Sequence, residues 1–105
     1  MPTQDVFRAL ADPTRRAIIT MLADEPMNIN QISNQFEISR PAIAKHLKIL
    51  EKGNIIRVQK TGRDRINTLQ PQALKSVADW LAHYSRFWDT KLSTLKHAVE
   101  HAKED

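Results

Sequence analysis

The chain has no cysteine. Disulfides are therefore excluded, and so are thiolate metal sites and a cysteine nucleophile, which fits a reducing interior. The opening Met1-Pro2-Thr3-Gln4-Asp5 lacks a basic segment followed by an apolar one, so no signal peptide is expected. No apolar run approaches the roughly 18 residues that a membrane span needs, which points to a soluble, cytoplasmic protein with no membrane partner. Glycine occurs only twice in 105 residues. There is no Gly-rich loop, no convergent pair of acids, and only one serine on the helix singled out below, where it caps. Catalysis is accordingly the weakest of the function classes. Internal repeats and low-complexity linkers are also missing. The length suits one domain spanning residues 1–105. A core this small is marginal alone, so pairing with a second copy would help.

What is present is unevenly spread charge. Eight of the sixteen Lys and Arg residues fall between Ser39 and Arg65, against two acids, Glu51 and Asp64. That segment is six charges positive, and the remainder, with eight bases and ten acids, is two negative. A polyanion, most commonly nucleic acid, would suit such a face. A solvated basic surface would look the same by charge alone.

The hydrophobic period is helical over most of the chain. Val6, Phe7 and Leu10 give a short amphipathic helix from Asp5 to Ala11. Asp12-Pro13 is an N-cap followed by Pro at the first helical position. The second helix then runs to about Ala23, burying Ile18, Met21 and Leu22, and Asp24-Glu25-Pro26 stops it. Asn28 can cap a third helix to Phe36, with Ile32 and Phe36 inward. Ser39 can cap a fourth, running to about Lys52, and Gly53 sits where a left-handed C-terminal cap is wanted. Ile55–Gln59, the turn Thr61-Gly62-Arg63-Asp64, and Arg65–Leu69 then read as a β-hairpin. Pro71 restarts helix, and from Gln72 on there is neither Gly nor Pro. The expected order is α1-α2-α3-α4-β1-β2-α5, mainly α with one small hairpin.

Two short helices joined by a tight turn, Asn28–Phe36 and Ser39–Lys52, suggest a helix-turn-helix whose second helix enters the major groove. At about 100° per residue, Ile43, Leu47 and Leu50 share one side of that helix. Pro41, Lys45, Lys48 and Lys52 lie almost opposite. Ala44 is beside the basic stripe and small enough to let the helix approach base edges. Arg40 is in the first turn. The hairpin adds Arg57, Lys60, Arg63 and Arg65, with Gly62 at a tip able to approach a phosphate backbone. Arg-bearing strands beside a recognition helix describe a winged helix, although such a hairpin can also just cover the edge of a core. His46 falls at about 60° from the centre of the core face. It can pack against the wing or hydrogen-bond a phosphate.

The run Val6-Phe7-Arg8-Ala9-Leu10-Ala11-Asp12-Pro13-Thr14-Arg15-Arg16 resembles the opening of the ArsR-type winged-helix repressors. Ser39-Arg40-Pro41-Ala42-Ile43-Ala44-Lys45-His46-Leu47-Lys48-Ile49-Leu50 resembles their recognition helix, and Gly53, Ile55-Ile56 and Gly62-Arg63 fit the remainder. The similarity covers nearly the whole chain. It implies a homodimeric bacterial repressor on a palindromic operator. Residues expected at DNA are Ser39, Arg40, Pro41, Ala44, Lys45, His46 and Lys48, with Arg57, Lys60, Arg63 and Arg65 from the wing. For His46 the wheel leans toward packing, and the resemblance toward DNA.

Many ArsR-type proteins sense metals, so the chain must be compared with their ligand sets. One such site uses cysteines in the helix before the recognition helix, and Asn28 to Gln35 supplies none. Another uses Asp-x-His, ten residues, then His-x-x-Glu on the last helix. His97 and Glu100 match its second half, but the first falls on Tyr84 and Arg86. The pairs His97/His101 and Asp79/His83 have a spacing that can bind metal, on the polar side of the helix. Solvated histidines explain them better, and no metal or other cofactor is expected.

On the last helix Leu74, Val77, Leu81, Tyr84, Trp88, Leu92, Leu95 and Val99 form one stripe of about seven turns, flanked by Trp80 and Phe87. One small domain cannot cover that length. Val77 and Leu81 are expected to be covered internally. The remainder points to a homodimer through the terminal helices, about 4–12 and 72–102. Val6, Phe7, Leu10, Tyr84, Phe87, Trp88, Leu92, Leu95 and Val99 are its expected contacts. Five of the six aromatics lie in these two helices, and large rings suit interfaces.

The resulting expectation is a sequence-specific, metal-independent transcriptional repressor. A winged-helix module that meets an acidic protein is the alternative. The releasing signal is not written in the sequence: a ligand at the dimer interface, a partner protein and autoregulation by concentration all fit.

Overall fold

The first four helices each open on a short polar side chain that accepts a backbone N–H three residues on. In a computed structural model describing residues 2–102, Thr3 accepts from Val6 at the start of α1 (Gln4–Leu10), and Asp12 from Arg15 at α2 (Pro13–Asp24). Asn28 accepts from Gln31 at α3 (Ile29–Ser33), and Ser39 from Ala42 at α4 (Arg40–Lys52). At α3 the bond is reciprocated, since the Gln31 side chain accepts from the Asn28 N–H at 2.8 Å. Such caps satisfy N–H groups that have no partner within the helix. The hairpin β1 (Ile56–Thr61) and β2 (Asp64–Leu69) follows, then α5 (Pro71–Ala102). Met1 and residues 103–105, included in the single domain expected from the sequence, lie outside the described residues.

The element order is the expected one, a winged helix. α3 is shorter than expected. It closes at Ser33, and Gln35 and Phe36 donate to Ile32 and Ser33 in tight turns instead. Phe36 still packs against the core, half-buried.

Gly53 is a second correction. Its φ of −81° is not left-handed; the left-handed residue is Asn54, at φ 59°. Glycine is needed at 53 because a Cβ there would lie 3.0 Å from the Asp5 carbonyl oxygen. Here α1 crosses the end of α4. Lys52 reaches the same residue, its Nζ 3.9 Å from an Asp5 carboxylate oxygen.

The core is one cluster: Val6 and Ala9 from α1, Ile18 and Leu22 from α2, Ile32 from α3, Ile43, Leu47 and Leu50 from α4, then Ile55 and Ile56. Val6 is only 5% exposed, so it has no surface to offer a second copy and is removed from the expected dimer contacts. Met21 is half-buried. The hairpin is fixed by an isolated bridge that the sequence did not reveal. Met27 and Asn67 exchange backbone hydrogen bonds at 3.1 and 2.8 Å, and the buried Asn67 side chain donates to the Met27 carbonyl.

α5 behaves differently. Its first turns touch the core through Ala73 and Val77, yet none of its residues is fully buried. From Leu81 to Ala102 every residue is exposed. Leu81, expected to be covered internally, is 51% exposed. The molecule is correspondingly long, 68 Å against 30 and 21 Å. Among the described residues no helix is long and apolar enough to cross a membrane.

Candidate nucleic-acid interface

α4 is divided lengthwise. Ile43, Leu47 and Leu50 are buried, whereas Arg40, Pro41, Lys45 and Lys48 are exposed and Ala44 is half-buried. Ser39 is exposed and occupied with its cap, accepting from Ala42 at 3.3 Å. The Pro41 ring lies in the first turn, where a missing N–H costs no helical bond.

The hairpin register decides which cations join this face. Lys60 pairs with Arg65, Val58 with Asn67 and Ile56 with Leu69, so these six side chains share one face of the ribbon. Arg57, paired with Thr68, points to the other face. Arg63 lies in the two-residue loop between the Thr61↔Asp64 pair. Gly62 opens that loop at φ 65°, a conformation only glycine adopts freely, in the position of a type II′ turn. A Cβ at Gly62 would meet nothing, so the dihedral, not space, requires glycine.

Between α4 and the wing runs an open groove of about 300 Å³. Arg40, Ala44, Leu47, Lys48 and Glu51 line it from α4, with Ile29 from α3 and Val58, Arg65 and Asn67 from the hairpin. Arg40, Lys48 and Arg65 thus converge on a floor that is mostly apolar. Among the described residues, none of Arg40, Lys45, Lys48, Arg57, Lys60, Arg63 and Arg65 has an anionic partner within 4 Å. Lys60 and Arg65 even stand directly opposite each other, an arrangement that weakens a two-stranded ribbon. A surface that keeps like charges together and unpaired suits a polyanion.

His46 is turned away from the wing. Its Nδ1 lies 3.1 Å from a terminal nitrogen of Arg15 and 3.9 Å from the Asp12 carboxylate. Arg15 is itself buried, donating through Nε to the Ala9 carbonyl at 2.9 Å and through its other terminal nitrogen to that of Arg8 at 2.8 Å. Arg16 donates to the Leu10 carbonyl at 2.7 Å. These carbonyls belong to the last turn of α1, whose acceptors have no partner within the helix. The Asp12 carboxyl is held below its ordinary value, chiefly because the Arg15 N–H donates to it. Spacing alone gives no sign of Arg15, which lies in the first turn of the capped, Pro-started α2.

The residues expected at a dimer contact separate into two groups. Phe7 and Leu10 are half-buried, and Phe7 stacks edge-on with Trp80 at 5.3 Å within the same chain. Tyr84, Phe87, Trp88, Leu92, Leu95 and Val99 remain 48–61% exposed along α5.

The histidines of α5 form no metal cluster among the described residues. His97 and His101 stack with ring centres 3.9 Å apart, and Asp79 pairs with Lys75 at 2.9 Å rather than with His83.

Known proteins resemble this chain over most of its length. A family description reading "Bacterial regulatory protein, arsR family" matches residues 12–58. The HTH-type transcriptional regulator Rv2034 of Mycobacterium tuberculosis is 31% identical over 99 residues, covering 94% of this chain and 90% of that protein. The transcriptional repressor SdpR of Bacillus subtilis is 32% identical over 88 residues, 84% of this chain and 98% of that one. A crystal structure of an ArsR family transcriptional regulator superimposes with a TM-score of 0.74 at 34% identity, over 81% of this chain and 93% of the other.

Proposed function

The chain belongs to the ArsR family of bacterial regulatory proteins, and from that premise we propose that it represses transcription as a metal-independent homodimer on a palindromic operator. The family is one of regulators, not enzymes. The observation that carries the reading is the groove lined by Arg40, Lys48 and Arg65, unpaired cations on two elements around small and apolar residues. Cations there would meet phosphates and base edges, and Ala44 would leave room for the helix to descend between them. Lys45, Lys60 and Arg63 would extend the contact along the backbone, with Arg57 reaching it from the opposite face of the wing.

The exposed stripe of α5 supports the homodimer. Six large apolar side chains in water over about four turns are a poor end state for a small protein. A two-fold pair would place two recognition helices about one duplex turn apart, which is why a palindrome is expected. Metal independence rests on the chain's lack of cysteine and on Tyr84 and Arg86 standing where carboxylate and imidazole ligands would be required. The protein would act in the cytoplasm, on the nucleoid when bound.

Selection from a random duplex pool tests the proposal. Enrichment of one inverted repeat is the expected outcome. Retention of all duplexes alike, with tight binding of an acidic protein instead, would replace this reading by a protein-interaction module.

A further inference from the structure

Arg15 is a buried cation that the interface described above does not use. Three acceptors surround its guanidinium: the carbonyls of Arg8 and Ala9, which end α1, and Nδ1 of His46 on α4. One side chain of α2 therefore ties the end of α1 to the reading helix.

The chemistry of this contact fixes a proton. A guanidinium can only donate. At 3.1 Å from it, Nδ1 of His46 must accept, so the neutral ring carries its hydrogen on Nε2. Asp12 is the other charged group facing the ring. It lies farther away, at 3.9 Å, and accepts the Arg15 backbone N–H at 3.0 Å. Among the described residues Nε2 has no partner, and none of their buried side-chain nitrogens lacks one. Nε2 must then reach solvent, as the 21% exposure of the side chain requires.

We infer that Arg15 is a positioning residue for DNA recognition: it holds His46 in the Nε2–H tautomer, so that α4 presents an outward, uncharged hydrogen-bond donor to the nucleic-acid backbone. The inference rests on the proposed DNA-binding reading and adds to it. It makes His46 a contact of a different kind from Lys45 and Lys48. A neutral donor displaces no counterion, so it contributes affinity without contributing to salt dependence. It also makes that contact depend on how the end of α1 is seated, although Arg15 itself is too deep to touch a duplex.

The test has two arms. Long-range proton–nitrogen correlation spectra of the imidazoles in the free protein report which nitrogen is protonated. Wild type should show Nε2–H at His46, and Arg15→Met should show a tautomer mixture. Nδ1–H in the wild type, or no change in Arg15→Met, overturns the inference. In the second arm, binding to the selected duplex is followed across salt concentrations. Arg15→Met should weaken binding about tenfold with an unchanged slope of log affinity against log salt. In a His46→Phe background the same substitution should cost nothing further. A changed slope, or full additivity of the two substitutions, overturns the inference. Arg15→Lys keeps the buried charge but cannot span three acceptors. It takes the place of Arg15→Met if that variant does not fold, with the same outcomes. Absence of wild-type binding to any duplex would instead sink the regulator reading, while the spectra would still report on the Arg15–His46 contact.

Discussion

Gly53 shows a residue chosen for the space it leaves. Its Cβ would meet the Asp5 carbonyl oxygen at 3.0 Å and the carbonyl carbon at 3.4 Å, both backbone atoms that cannot swing aside. Gly53→Ala should therefore force α1 away from α4 and destabilise the fold by about 1–2 kcal/mol. Urea denaturation reads this as a lower midpoint at unchanged slope. Asp12 makes a second statement at this scale. Its carboxyl is held below 3.8 mainly by the N–H of Arg15; partial desolvation opposes that, and the nearby guanidinium of Arg15 reinforces it. A folded value below the unfolded one means that the carboxylate stabilises the fold above the ordinary range. That contribution is lost as the pH falls through the folded value. Asp12→Asn keeps a capping oxygen but cannot titrate. Denaturation midpoints measured from pH 6 to pH 2 should fall more steeply below 3.8 in the wild type than in Asp12→Asn. Superimposable curves would refute the assignment.

Among the elements, the wing sets stability against binding. Lys60 and Arg65 face each other across the ribbon, and the sheet alone would prefer opposite charges there. Lys60→Glu should stabilise the fold by a few tenths of a kcal/mol while weakening duplex binding and flattening its salt dependence by about one to two units. A variant that gains both stability and affinity would show that the pair serves another purpose. The elements were also where the sequence was most legible. Asp12, Asn28 and Ser39 cap the helices they were expected to cap, because an N-cap is decided within four residues. The split of α4 was legible for a similar reason, since a helical period is local. Less legible were features joining distant parts of the chain. The Met27–Asn67 bridge spans forty residues. The local pattern places at Gly53 a left-handed dihedral that belongs to Asn54, because the crossing of α1 that demands glycine cannot be seen locally. Val6 and Phe7, adjacent and both apolar, look alike in the sequence, yet one is in the core and the other against Trp80. His46 has wing and phosphate as its candidates in the sequence, whereas its partner is Arg15, thirty-one residues earlier.

For the whole molecule, the proposed homodimer rests on the 68 Å length and the exposed apolar stripe of α5. Leu92 is near the middle of that stripe and 60% exposed. An aspartate there costs only about half a kcal/mol of helix propensity in a lone, solvated helix but buries an unpaired charge if two helices pack. Leu92→Asp should give a folded monomer by sedimentation velocity, with duplex affinity reduced at least a hundredfold because one half-site must then hold alone. A variant that still sediments as a dimer would move the interface elsewhere. Two copies would present two sets of unpaired cations to one duplex, and the central claim is that these cations make the contact. Fluorescence anisotropy on the selected duplex from 50 to 200 mM salt tests it most directly, with wild type beside Lys45→Ala/Lys48→Ala. The wild type should lose affinity by about a thousandfold or more over that range, and the double variant should bind more weakly with a clearly shallower slope. Affinity indifferent to salt, or a double variant indistinguishable from wild type, would contradict a cationic reading face on α4.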